Sequence, residues 1–248
     1  MIPADVYCRP DDGKFGCSGF LKMMFPVQGK EETMKLYIYD HCPFCVRARM
    51  IFGLRGVAVE EVILQNDDEE TPIKMIGAKQ VPILQKDDGS FMGESLDIVR
   101  YIDEMAGKGR LKEEVRPQVQ AWLDKVGTYV NKLVQPRDVL ADLPEFAEQS
   151  AVDYFTAKKE QIIGNFAENM AKTPEYLARL ADDFAELEGL VVSADALGGE
   201  LGMEDILVFP ILRNLTIVRG LEMPPKVAAY VAEMSRLSGV PLQTGRAV

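Results

Sequence analysis

The chain has 248 residues, 39 acidic and 28 basic, for a formal net charge of −11. That balance excludes the positive field needed for non-specific nucleic-acid binding and disfavours anionic membrane surfaces. Hydrophobic residues at 47% and charged residues at 27% fit a soluble globular protein with a real core, as one large domain or two small ones.

Residues 1–33 stand apart. They hold scattered charges, three prolines and three closely spaced glycines, and they show no sustained periodicity. The apolar stretch 19–27 is interrupted by Lys22 and ended by Pro26, without the basic leader and cleavage site of a secretory signal. No apolar run in the chain reaches the ~18–20 residues of a spanning helix. A flexible extension, an upstream start or a cloning remnant is expected for 1–33. A regulatory Cys8–Cys17 pair is the sharper alternative, although nothing nearby suggests an activated thiol.

Regular patterning begins at Met34. Residues 35–39 alternate and are rich in β-formers, which predicts a strand. Asp40 and His41 turn the chain. Pro43 suits a first helical turn, and Val46, Met50, Ile51 and Leu54 follow at helical spacing, with Gly56 as a stop. A second strand is expected at 57–64, a short helix at 72–76, and a third strand opening at Val81-Pro82. Asp87-Asp88-Gly89-Ser90 predicts a hairpin turn into Phe91 and Met92. Gly93-Glu94-Ser95 then opens a helix with Leu96, Ile98, Val99, Tyr101 and Ile102 on its apolar side. The order β-α-β-α-β-β-α implies a small mixed sheet with helices on its faces.

Residues 106–117 read as a linker, and beyond them no strand is predicted. An amphipathic helix is marked by Val119, Trp122, Leu123, Val126, Val130 and Leu133. Further helices are expected at about 147–170, 174–190, 205–219 and 225–237. The third of these is apolar almost all round and reads as the central buried helix, with a local kink at Pro210.

The strongest chemical signal is Cys42-Pro43-Phe44-Cys45, placed after a strand and at a helix start. Thiolates are the nucleophiles of disulfide exchange. Cys42 would sit at the helix N-terminus, where free N–H groups and the dipole favour an anion. Cys45, one turn in, can close a disulfide with it. Cys42 is therefore expected to attack and Cys45 to resolve, with Arg47 adding positive potential. A zinc site completed by Cys8 and Cys17 is the metal alternative, but their spacing is not that of usual zinc ligands. The single histidine rules out a two-His zinc site. His41 could tune Cys42 or contact a substrate, or simply be an exposed turn residue.

Together with Tyr39-Asp40-His41 before the cysteines, Gln80-Val81-Pro82 and Gly93-Glu94-Ser95, this motif resembles a glutaredoxin. With the added helical half, residues 34–248 resemble the large two-domain bacterial glutaredoxins, the glutaredoxin 2 type. The resemblance implies an α/β thioredoxin-like domain with a mixed four-stranded sheet at 34–105, a linker at 106–117 and an all-α domain at 118–248. The overall architecture would be that of glutathione S-transferases. It implies that Cys42 and Cys45 are the redox pair and that Pro82 is a cis-proline facing the active cysteine. It further implies that the Val81 backbone pairs with glutathione's cysteinyl backbone, and that Glu94 and Ser95 hold its γ-glutamyl end. Glu94-Ser95 would serve equally as a helix cap; the binding role is the one expected here.

There are departures. Phe44 replaces the tyrosine common between the cysteines, and Tyr39 stands where small glutaredoxins often carry a lysine. Lys74 and Lys79 are candidate replacements for that lysine, each better explained as a solvated surface residue. Gly202 stands where a Ser/Thr cap is expected before the buried helix, with Asp205 three residues on.

The expected function is a glutathione-dependent thiol-disulfide oxidoreductase, acting on protein–glutathione mixed disulfides and small disulfides. Glutathione would be a reducing cosubstrate and no cofactor or metal would be tightly bound. A cytoplasmic monomer without nucleic-acid or membrane partners is expected. The alternatives are a glutathione transferase, against which the second cysteine argues, and a non-catalytic metal- or cluster-binding module.

Overall fold

The computed structural model describes residues 33–248. Four strands form one mixed sheet in the order β2-β1-β3-β4: β1 Lys35–Ile38, β2 Glu60–Ile63, β3 Ile83–Gln85 and β4 Phe91–Met92. Strand β1 runs parallel to β2, with Leu36 opposite Glu61, and antiparallel to β3, with Leu36 opposite Leu84. Three helices accompany the sheet: α1 Pro43–Arg55, α2 Glu70–Ile76 and α3 Ser95–Ala106. This is the predicted element order. The inward residues of β1, Leu36 and Ile38, are fully buried, as strand alternation requires. Helix α1 starts at Pro43 and ends at Gly56, which takes the left-handed conformation. The turn at 87–90 is closed by the Gly89 amide donating to the Lys86 carbonyl and the Lys86 amide to that of Ser90.

The strand predicted at 57–64 is confined to Glu60–Ile63, and β3 begins after Val81-Pro82 rather than at it. Proline has no N–H for a ladder bond.

The stretch expected as a linker is irregular but anchored. Leu111 is buried, and its amide donates to Asp103. Arg116 binds the Glu204 carboxylate through its backbone N–H (2.7 Å), Nε (2.9 and 3.0 Å) and a terminal nitrogen (2.7 Å).

The helices that follow are α4 Pro117–Gly127, α5 Val130–Asp138, α6 Gln149–Ile163, α7 Phe166–Ala171, α8 Thr173–Leu190, α9 Met203–Leu215 and α10 Pro225–Ser238. Two of the predicted helices are each divided. The one carrying Val119 to Leu133 breaks at Thr128-Tyr129, where Tyr129 turns inward and its hydroxyl donates to the buried Asp183 carboxylate at 2.7 Å. The one predicted at 147–170 breaks at Gly164-Asn165, where the Asn165 side chain caps α7 by accepting from the Glu168 amide. In both places a specific polar bond outweighs continued helical periodicity.

Helix α9 is the buried centre of the helical half, as predicted, and continues through Pro210 without interruption. Gly202 is its N-cap, and Asp205 reaches back to the Gly202 amide at 2.9 Å. The same carboxylate accepts from the Leu197 amide and the Tyr230 hydroxyl. Position 202 has no room for a side chain: a Cβ there would lie 2.8 Å from the Lys112 carbonyl oxygen.

The described residues 33–248 lie within one compact unit. Helix α1 packs on α3 from one side and on α9 and α10 from the other. At Gly53 the α1 backbone approaches α10 so closely that a Cβ would lie 1.8 Å from the Ser238 carbonyl oxygen. No helix among the described residues is long and apolar enough to cross a membrane.

Candidate active site

The turn between β1 and α1 carries Asp40, His41 and Cys42 into the junction of the sheet and the helical half. Asp40 is a buried hub. Its Oδ1 accepts from Arg49 and from Arg213 of α9, both at 2.7 Å, and its Oδ2 from Gln243 at 3.0 Å and Arg246 at 3.3 Å. The Asp40 carbonyl accepts a further bond from Arg213 at 2.6 Å. Burial alone would raise this carboxyl, but Arg213 and Arg49, with Gln243, outweigh it and hold it at about 2. The helical half thereby grips the turn that presents the cysteines.

Cys42 is the N-cap of α1, and Cys45 lies fully buried one turn in; both are free thiols. The Tyr39 amide donates to the Cys45 sulfur. A hydrogen bond from the Cys45 thiol outweighs burial at Cys42. With the charge of His41 and the amides of Cys45 and Phe44, it lowers the Cys42 thiol to about 6. Burial drives Cys45 the other way, well above the ordinary thiol range, helped by its bond and charge interaction with Cys42. At neutral pH the pair is thus one thiolate, at Cys42, backed by one thiol.

Cys42 opens into a cleft of about 340 Å³ between the sheet and α6, whose walls include Tyr39, Lys79 and Val81 on one side and Gln135, Tyr154 and Lys158 on the other. A second cavity of about 220 Å³ adjoins it, sharing Phe44 and Val81 and lined by Gln80, Pro82, Glu94 and Ser95. All six residues singled out from the sequence therefore gather here, five lining the two cavities and Cys45 behind Cys42. The Val81–Pro82 peptide bond is cis, as the resemblance implied. Glu94 has φ 62°, a left-handed conformation unusual for a residue with a side chain. Its carboxylate accepts from Gln80 at 3.2 Å. Ser95 is the buried first residue of α3, with the free amides of a helix start. Local backbone strain of this kind is concentrated at binding and catalytic positions.

Several residues were misjudged or missed from the sequence. His41 is not an exposed turn residue: its side chain is 10% exposed and its Nδ1 lies 2.6 Å from Glu145. Lys79 is not merely solvated. Its ammonium donates to the Tyr39 hydroxyl (2.8 Å) and to the carbonyls of Asn66 and Asp68, at the cleft wall. Lys74 does stay at the surface, paired with Glu70. Gln80 stands in the Gln80-Val81-Pro82 motif without a role of its own; Glu145, Tyr154 and Lys158 were not anticipated. The contribution of these three depends on packing of segments about 100 to 116 residues from the cysteines, and no local motif marks them. Among the described residues no cluster of three or more metal-ligating side chains occurs; Cys8 and Cys17 lie outside the described residues.

A four-stranded thioredoxin-like half with a dithiol at its helix start, joined to an all-helical half, defines a protein of glutathione S-transferase-like architecture. Residues 36–110 match the family model of the glutathione S-transferase N-terminal domain, and residues 118–247 that of the glutaredoxin 2 C-terminal domain. Glutaredoxin 2 of Escherichia coli (strain K12) is 47% identical over 215 residues, spanning 87% of this chain and 100% of that protein. The crystal structure of glutaredoxin 2 from Salmonella typhimurium in complex with glutathione is 47% identical. It superposes with a TM-score of 0.85 over 87% of this chain and 99% of that one. A tau class glutathione S-transferase from mango shares the fold at a TM-score of 0.52, with 21% identity over 88% of this chain and 96% of its own. This chain belongs to the glutaredoxin 2 family.

Proposed function

We propose that the chain reduces protein–glutathione mixed disulfides and disulfides through the Cys42–Cys45 dithiol, with glutathione as electron donor. The observation that carries this is the asymmetry of the pair: Cys42 is lowered to about 6 and faces the cleft, while Cys45 is buried behind it and raised. The Cys42 thiolate attacks the glutathionyl sulfur of a mixed disulfide. The Cys42–glutathione disulfide forms, the protein–sulfur bond breaks, and the protein leaves as a thiolate that takes a proton from water. A second glutathione thiolate then attacks the glutathionyl sulfur, releasing glutathione disulfide and restoring the Cys42 thiolate. For a protein disulfide, Cys42 forms a mixed disulfide with one protein sulfur. Cys45 loses its proton and attacks Cys42, which releases the reduced protein and leaves a Cys42–Cys45 disulfide. Two glutathiones reduce it.

Glutathione fits across the two adjoining cavities. Its cysteinyl backbone would pair with Val81 beside cis-Pro82. Its γ-glutamyl end carries an amine for the Glu94 carboxylate and a carboxylate for the amides at the Ser95 helix start. Residues 34–105 would form the redox domain, 106–117 the connection and 118–248 the helical domain. Glutaredoxin couples lie at roughly −200 to −230 mV, near cytosolic glutathione, so the pool sets the direction of exchange. A monomer working in the cytoplasm on glutathionylated and disulfide-containing proteins is the corresponding setting. The test is the glutathione-coupled disulfide assay on the wild type and on each cysteine variant. Loss of turnover in Cys42→Ser is expected. Turnover of an electrophilic aromatic halide exceeding that of a glutathionylated peptide would favour a transferase instead.

A further inference from the structure

The turn residue His41 is enclosed by the helical half. Glu145, in the 3-10 turn Pro144–Phe146 after α5, is fully buried, and one of its oxygens accepts from the His41 backbone amide and from ring Nδ1. The backbone amide donates at 2.8 Å and the ring Nδ1 at 2.6 Å. The imidazole lies parallel to the Tyr39 ring, 5.6 Å between centroids, and its other neighbours are Phe146 at 5.1 Å and the edge of Phe155 at 5.0 Å. Asn214 of α9 donates to the His41 carbonyl at 2.5 Å. The ring is therefore held by Glu145 and three aromatic rings, with its remaining edge at the cleft beside Cys42. Among the described residues the other Glu145 oxygen has no hydrogen-bond partner, and His41 is the only side chain that hydrogen-bonds this buried carboxylate.

A buried carboxyl stays ionised only with a cation or enough hydrogen bonds to replace water; here the ring bonded to it is that of His41, which directly precedes Cys42 and lines the same cleft. We propose that Glu145 is a positioning residue that keeps His41 as an imidazolium, and that this cation holds Cys42 as the reactive thiolate. The helical half would then act on the redox chemistry through one buried ion pair, besides forming a cleft wall. The proposal rests on the reading of Cys42 as the attacking thiol.

The charged surroundings agree. Burial disfavours the imidazolium, but the bond to Glu145, with the charges of Asp138, Glu145 and Cys42, raises His41 overall. Glu145 moves down in step, its burial outweighed by the bond to His41. Asp138 of α5 is pushed up by burial to about 8, so at neutral pH it adds only part of its charge and Glu145, bonded to the ring, is the main anion there. Tyr39, in the stack, is raised chiefly by burial and stays neutral. Of the cleft's lysines, Lys79 donates to the Tyr39 hydroxyl, Lys159 lies 5.5 Å from the Phe155 ring centre and Lys158 4.1 Å from that of Tyr154, so these cations reach the imidazole only across aromatic rings. Glu145 also raises Cys45, which widens the difference between the two thiols.

Because the chain has one histidine, its ring resonances in untagged protein need no assignment. In the reduced wild type the imidazole should titrate above the ordinary value of about 6.5. Glu145→Gln, similar in size and uncharged, should lower that midpoint. It should also raise the pH midpoint of Cys42 alkylation, measured in Cys45→Ser protein without glutathione, by about one unit. In a His41→Phe background, where the ring stack is kept, Glu145→Gln should produce no further shift. An unchanged alkylation midpoint in folded Glu145→Gln protein would overturn the proposal. So would a shift of equal size in the His41→Phe background, or a wild-type imidazole titrating below 6. If Glu145→Gln does not fold, His41→Phe alone must raise the alkylation midpoint. These readouts use no disulfide substrate. A Glu145-dependent thiol profile without glutathione-coupled turnover would therefore defeat the proposed function and leave this inference standing.

Discussion

Replacing Asp40 by Asn tests whether the helical half grips the active-site turn by charge. The Asp40 carboxylate neutralises Arg213, whose side chain is 1% exposed, and Arg49, which is nearly as buried. Asparagine keeps the shape but can answer neither cation. Removing one partner of a buried pair costs about 3–5 kcal/mol. At roughly 2–4 °C per kcal/mol for a chain of this size, Tm should fall by about 6–20 °C. Linkage gives an independent lower figure. A carboxyl held at about 2 instead of its ordinary value near 3.8 contributes roughly 2 kcal/mol when ionised. Because the folded-state value is the lower one, that contribution is complete above pH 4 and is lost as the pH falls through 2. The stability gap between wild type and Asp40→Asn should therefore be widest near neutrality and shrink from pH 4 to pH 2. Pairing Asp40→Asn with Arg213→Met, which removes the stranded cation, should recover part of the loss. Thermal melts followed by circular dichroism between pH 2 and pH 7 supply the data. A change of less than 2 °C at pH 7, or a gap that does not narrow in acid, would refute the reasoning.

Other outcomes follow from the same geometry. Cys42→Ser should abolish all exchange. Cys45→Ser should keep a substantial part of its activity on a glutathionylated peptide and lose reduction of protein disulfides, which need the intramolecular step; steady-state assays on the two substrates separate these. Glu94→Ala should raise the apparent KM for glutathione more than it lowers kcat, since Glu94 would contact the end of glutathione remote from the sulfur; an unchanged KM would count against that contact. Gly53→Ala should destabilise the protein by about 1–3 kcal/mol or more in urea titrations, because its Cβ meets the α10 backbone, which cannot yield as a side chain would.

The sequence by itself determined the elements with local causes. Alternation marked β1, Pro43 and Gly56 bracketed α1, and the unbroken apolar character of Ile206 to Val218 marked the buried α9. It also located the six proposed site residues: the Cys-x-x-Cys spacing after a strand marked Cys42 and Cys45, and the resemblance to glutaredoxins implied Val81, Pro82, Glu94 and Ser95. Tertiary structure decided what depends on distant partners. The helix after Pro117 breaks at Tyr129 because Asp183, more than fifty residues away, offers its hydroxyl a buried acceptor. Position 202 carries no Ser/Thr cap because a Cβ there would lie 2.8 Å from the Lys112 carbonyl oxygen, brought close only by folding. His41 looked like a turn residue because a turn is all that its neighbours in the chain describe. Only folding brings Glu145 to it across 104 positions, and a carboxylate's effect on a ring falls off with distance in space, whatever the separation along the chain.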